Sequence, residues 1–104
     1  MIISTTNVVP GREITEILDV VRGNSVRARH LGRDIVAQLR NLVGGEIREY
    51  AELQMHTREQ ATQRMIQDAE RRGADAIVGV KYTTSMISAG ASEILAYGTA
   101  VKLG

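Results

Sequence analysis

Glu52, His56 and Glu59 stand at i, i+4 and i+7, the spacing that puts three side chains on one flank of a helix. Carboxylate and imidazole groups in such a row can share a divalent metal ion, and Glu49 and Gln63 extend it. The plainer reading is a solvated helix face whose carboxylates exchange weak charge pairs, Arg58 among the partners. One imidazole without a thiolate is a poor match to soft metals. A second cluster is Arg29, His30 and Arg33, with Arg27 close in sequence. Guanidinium groups around an imidazole, ahead of a helix N-terminus, can hold a phosphate or another anion. Against this, Asp34 competes for the same helix end, and eleven arginines against two lysines suit salt bridges between subunits equally well.

Familiar catalytic templates are missing. The chain has no cysteine, which removes disulfides, thiolate metal sites and thiol nucleophiles together. Ser4, Ser25, Ser85, Ser88 and Ser92 lie in no Gly-x-Ser-x-Gly elbow. Gly44-Gly45-Glu46 lacks the lysine and hydroxyl of a phosphate-binding loop, and Gly73 to Gly79 lacks the dinucleotide fingerprint. Catalysis is therefore not expected of a single chain, and an enzyme would need a composite site between subunits.

The elements that must carry these residues follow from the apolar pattern. Ile2 to Val9 is β-branched and ends at Pro10-Gly11, which suits the two central positions of a type II turn. Ile14 to Val21 is strand-like with imperfect alternation, which predicts a bulge or a strand covered on both sides. Gly23-Asn24-Ser25 interrupts it and Val26 to Arg29 resumes it, giving one bent strand or a small hairpin. Val36, Leu39, Val43, Ile47 and Tyr50 form a helical stripe that Ala61, Met65 and Ala69 continue. Gly44-Gly45 inside this pattern either breaks it or lets another backbone pass closely, and two helices, about 34–43 and 47–72, are the favoured expectation. Gly73 closes the second without a Cβ penalty, after Arg71 and Arg72 have met the negative end of the helix dipole. A third strand spans 76–86, a small-residue turn 88–92, and a last strand 93–103. Ile94, Ala96, Gly98 and Ala100 give that strand one narrow face, fit to lie close under a helix or a neighbouring subunit. The expected order is β-β-α-α-β-β: an α+β domain, 1–104, with helices on one side of a mainly antiparallel sheet.

Composition sets the remaining bounds. A chain of 104 residues buries only about 65% of its unfolded surface, so association with other copies would help it. Its aromatics are Tyr50, Tyr82 and Tyr97 alone, too few for base-stacking platforms, and a net charge of +1 draws it to neither nucleic acid nor an anionic membrane. No apolar run approaches the roughly 20 residues of a membrane helix. The start, Met-Ile-Ile-Ser-Thr-Thr, has no basic, cleavable leader pattern, and a cytoplasmic location is expected.

Arg33-Asp34, Leu42-Val43-Gly44-Gly45, Gly73-Ala74-Asp75-Ala76-Ile77-Val78-Gly79-Val80 and Gly98-Thr99-Ala100-Val101 come in an order that resembles the YbjQ family, over nearly the whole chain. That family carries a heavy-metal-binding label. The resemblance implies a small α+β fold akin to the dodecin subunit, assembled as a ring-like homopentamer, and brings no catalytic residues with it. Taken with the helical row, it makes an oligomeric binding protein for a divalent metal ion the leading expectation. The alternatives are a ligand-free scaffold ring and a composite-site enzyme acting on an anionic metabolite.

Overall fold

The computed structural model describes residues 1–27, 46–88 and 91–104, and the side chains of 1–26, 54–87 and 91–104. Five elements cover them: β1 (Ile2–Ile3), β2 (Ile14–Arg27), α1 (Glu46–Arg71), β3 (Ala76–Ser88) and β4 (Ala91–Leu103). The strands form one sheet in the order β1-β3-β4-β2, and α1 packs against it. The domain is α+β. Its sheet is mixed, because β1 runs parallel to β3 while the other pairings are antiparallel. The expected helix 34–43, the break at Gly44-Gly45 and the cluster Arg29, His30, Arg33 lie outside the described residues.

The expected first strand is much shorter than 2–9. After β1, the chain follows β3 through isolated bonds: Ser4 donates to the Ile77 carbonyl at 2.9 Å, and Ser4 and Thr6 carbonyls accept from Val80 (3.0 Å) and Gly79 (2.8 Å). Serine and threonine hydroxyls bond locally here, Thr6 Oγ1 to the Val8 carbonyl at 2.8 Å, which competes with a regular ladder. Pro10-Gly11 forms the expected turn. Arg12 donates to the Val9 carbonyl at 3.1 Å and Gly11 has φ 79°, the positive value a type II turn demands at its third position.

β2 is one strand of 14 residues, so the hairpin alternative falls away. Its pairing with β4 runs unbroken through Gly23↔Ala96, Asn24↔Leu95 and Ser25↔Ile94. The expected bulging is present as register shifts between Ile14 and Glu16 and between Ile17 and Asp19. Gly23 serves a different purpose from a break. A Cβ placed there would collide with the backbone of α1 at Ala61, Arg64 and Met65, so the glycine lets helix and strand touch. Sequence reasoning expected this narrow approach at Gly98, where a Cβ instead meets the Ile77 and Val80 side chains of β3.

α1 spans the predicted second helix to within a residue at each end and breaks at Gly73, whose φ is 73°. Ala61, Met65 and Ala69 are fully buried against Val21, Ile77, Val80, Ile94, Ala96 and Ala100. Ile77 and Val80 share this face although three positions separate them. The reason is Gly79, φ 61°, in a register shift between Val78 and Lys81 that reverses the alternation of β3. A smaller core on the opposite face joins Ala76, Val78, Val101 and Leu103, with Val9 and Ile14 packed on it.

Candidate functional site

The helix that carries the sequence-predicted metal row is fixed at its middle and toward its C-terminus. Ser25 Oγ, itself buried, donates to Gln60 Oε1 at 2.6 Å, and Arg64 Nη1 donates to the Asn24 carbonyl at 2.6 Å, tying the middle of α1 to β2. Toward its C-terminus, Arg72 pairs with Asp19 at 2.9 Å and with Asp68 at 3.5 Å, and the Arg22 backbone donates to Asp68 Oδ2 at 3.4 Å. These ion pairs are partly exposed and each contributes little, about 0–1 kcal/mol. Together they fix which flank of α1 faces outward.

On that outward surface His56 and Glu59 are both exposed. Glu59 Oε1 accepts from Gln63 Nε2 at 2.9 Å, one helical turn on, and among the described residues its second carboxylate oxygen has no partner. Glu52 lies in α1, but its side chain is not among those described. Among the described residues no group of three or more His, Asp or Glu side chains comes together as a metal cage. A single chain therefore shows His56 and Glu59 from the row. Their imidazole and carboxylate donors suit a borderline divalent ion such as zinc better than a soft one.

The structure also builds something that the sequence reading did not anticipate. Between α1 and the outer part of β3 lies an open groove of about 340 Å³ lined by Met55, Arg58, Glu59, Thr62 and Tyr82. Met55, Glu59 and Thr62 follow one another at i, i+4 and i+7, with Arg58 between them, so the wall is one flank of the helix. Thr62 Oγ1 donates to the Arg58 carbonyl at 2.8 Å. Its only proton is thereby used, so in the 2.9 Å contact with the Tyr82 hydroxyl the phenol donates and Thr62 accepts. This bond holds the tyrosine against the helix while the residue stays 44% exposed. The Arg58 guanidinium has no ion pair with any described residue. Met55 falling off the buried stripe was the available signal for an apolar group outside the core. Nothing in the sequence placed Tyr82 beside it, because the shift at Gly79 sets which face of β3 the tyrosine occupies.

Asp75, at the junction between α1 and β3, reaches to the end of β4. Its Oδ2 accepts from the Leu103 backbone at 2.9 Å and Lys102 Nζ lies 4.0 Å from Oδ1. It joins the start of β3 to the last residues of β4 and has no place in either candidate site.

Comparison with known proteins agrees with the architecture. The YbjQ family model, described as "Putative heavy-metal-binding", matches residues 1–104. A UPF0145 protein of Psychromonas ingrahamii is 57% identical over 103 residues, covering 99% of this chain and 98% of its own. A UPF0145 protein of Archaeoglobus fulgidus is 58% identical, with 99% and 95% covered, and one of Thermotoga maritima is 55% identical, with 99% and 97%. Among solved structures, a protein of unknown function of the DUF74 family from Pediococcus pentosaceus superposes with a TM-score of 0.66 at 22% identity, covering 100% of this chain and 98% of that one. At that identity the match speaks for the fold.

Proposed function

The chain belongs to the YbjQ family, and from that premise we propose that it is a cytoplasmic, homo-oligomeric binding protein for a borderline divalent metal ion, without catalytic activity of its own. The carrying observation is the pair His56 and Glu59, exposed on one flank of a helix that buried contacts hold firmly to the sheet. Glu52 completes the row in sequence. Two protein donors are fewer than a stable divalent site uses, so the full coordination set comes from equivalent residues of other copies. Oligomerisation, a pentamer by family resemblance, is supported by two features of the sheet. Among the described residues β2 is an edge strand, and Ile17, Val20 and Val26 are 70%, 47% and 47% exposed on the face away from α1. Those same features also favour the second reading, a scaffold ring that binds no ion.

Calorimetric titration of the purified protein with zinc, nickel, cobalt and copper at neutral pH separates the two. Saturable binding that His56→Ala removes and Glu52→Ala weakens is expected. Titrations without saturation, or ones indifferent to both substitutions, would leave the scaffold reading standing.

A further inference from the structure

We propose that the groove between α1 and β3 binds a small zwitterion with an apolar body, of amino-acid or dipeptide size. Three chemical features converge there. Arg58 offers a guanidinium without an ion-pair partner among the described residues, the group best shaped to grip a carboxylate through two parallel N–H bonds. Glu59 offers the carboxylate oxygen that Gln63 leaves open, an acceptor for an ammonium group. Met55, 59% exposed, and the face of Tyr82 supply apolar surface between them.

Charge decides the ligand class. A simple anion would satisfy Arg58 and face Glu59 unfavourably, and a simple cation would meet the reverse. A molecule carrying both charges satisfies each, and its apolar part covers Met55 and the tyrosine ring. The groove, about 340 Å³ and open to solvent, has room for an amino acid or a dipeptide. Tyr82 is already positioned, since its hydroxyl donates to Thr62, so little ordering accompanies binding. The groove is open to water and the contacts are few, which sets the expected dissociation constant at about 1 mM. The groove shares Glu59 with the metal row, and neither proposal depends on the other.

Saturation-transfer NMR on the intact protein, in buffer containing a chelator so that metal plays no part, tests it with leucine, leucyl-leucine, N-acetyl-leucine and leucinamide. Saturable transfer is expected from leucine or leucyl-leucine, and which of the two saturates first identifies the ligand size. N-acetyl-leucine and leucinamide, each lacking one charge, should bind about tenfold more weakly. Arg58→Ala should abolish the advantage of leucine over leucinamide, and Glu59→Gln its advantage over N-acetyl-leucine. Both residues are exposed, so the variants are expected to fold, which circular dichroism checks. Tyr82→Phe, which keeps the ring, should retain charge discrimination. Absence of saturation by either zwitterion, equal binding of the blocked forms, or Arg58→Ala behaving like the parent overturns the proposal.

Discussion

Gly23 has no side chain because the backbone of α1 occupies the place where one would stand. A Cβ at this position meets backbone atoms of Ala61, Arg64 and Met65, none of which can rotate away as a side-chain tip can. Gly23→Ala must therefore push the helix off the sheet or bend the strand, and it is expected to cost about 3 kcal/mol, read as a lower urea midpoint. Gly73 makes the opposite case. Its Cβ would meet nothing within 4 Å, yet its φ is 73°. Gly73→Ala is expected to cost about 1–2 kcal/mol, the strain of a left-handed residue alone. The ranking of the two variants checks whether close approach or backbone conformation is the stronger demand. Glycine composition announced both positions, and only the path of α1 tells them apart.

At the level of elements, the junction from α1 into β3 is held through Asp75. Its backbone N–H donates to the Val101 carbonyl at 2.9 Å while its carboxylate accepts from Leu103, so one residue bonds β4 on two levels. Asp75→Ala removes the acceptor and leaves a half-enclosed amide without a partner, at an expected cost of about 1–3 kcal/mol. Asp75→Asn keeps an acceptor oxygen at the same reach and should recover most of that loss in the same denaturation experiment. If both variants were equally destabilised, the charge pairing with Lys102, and not the hydrogen bond, would be what matters. The bulge at Gly79 acts on the same strand. By shifting the register it places Val80 in the helix-side core and Tyr82 beside α1, so a single positive-φ residue links the core to the groove.

The described residues form a long, thin body, 54 × 25 × 16 Å with a radius of gyration of 17.0 Å, against about 13 Å for a compact domain of about 100 residues. Strands of 13 and 14 residues and a helix of 26 give that length, with one helix layer on one sheet in the described residues. Such a slab leaves much apolar sheet surface facing outward. Ile17 and Val20 lie on the bulged half of β2, away from α1. If copies associate through this face, as proposed, Val20→Lys gives smaller species in multi-angle light scattering while leaving the far-ultraviolet circular dichroism unchanged. A parent protein that is already monomeric at micromolar concentration would remove the oligomeric reading altogether. No helix of the described residues is long and apolar enough to cross a membrane.

Local rules within the sequence were enough for several elements. The 3.6-residue recurrence of Ala61, Met65 and Ala69 gave the helix and its buried stripe, Gly73 gave its end, and Pro10-Gly11 gave the turn, since each depends on neighbours a few positions away. The row Glu52, His56, Glu59 was legible for the same reason, as helical spacing alone defines it. What lay beyond reach depended on contacts distant in sequence. The same Gly-Asn-Ser that looks like a break is continuous strand because α1 crosses it, and Asp75 bonds a residue 28 positions away. The groove needs the flank of α1 and the outer part of β3 brought together, and the register shift at Gly79 decides which face of β3 it receives. A pattern of residue types records which side chains share a face of one element. Which two faces meet is settled by packing, and that is decided only when the chain has folded.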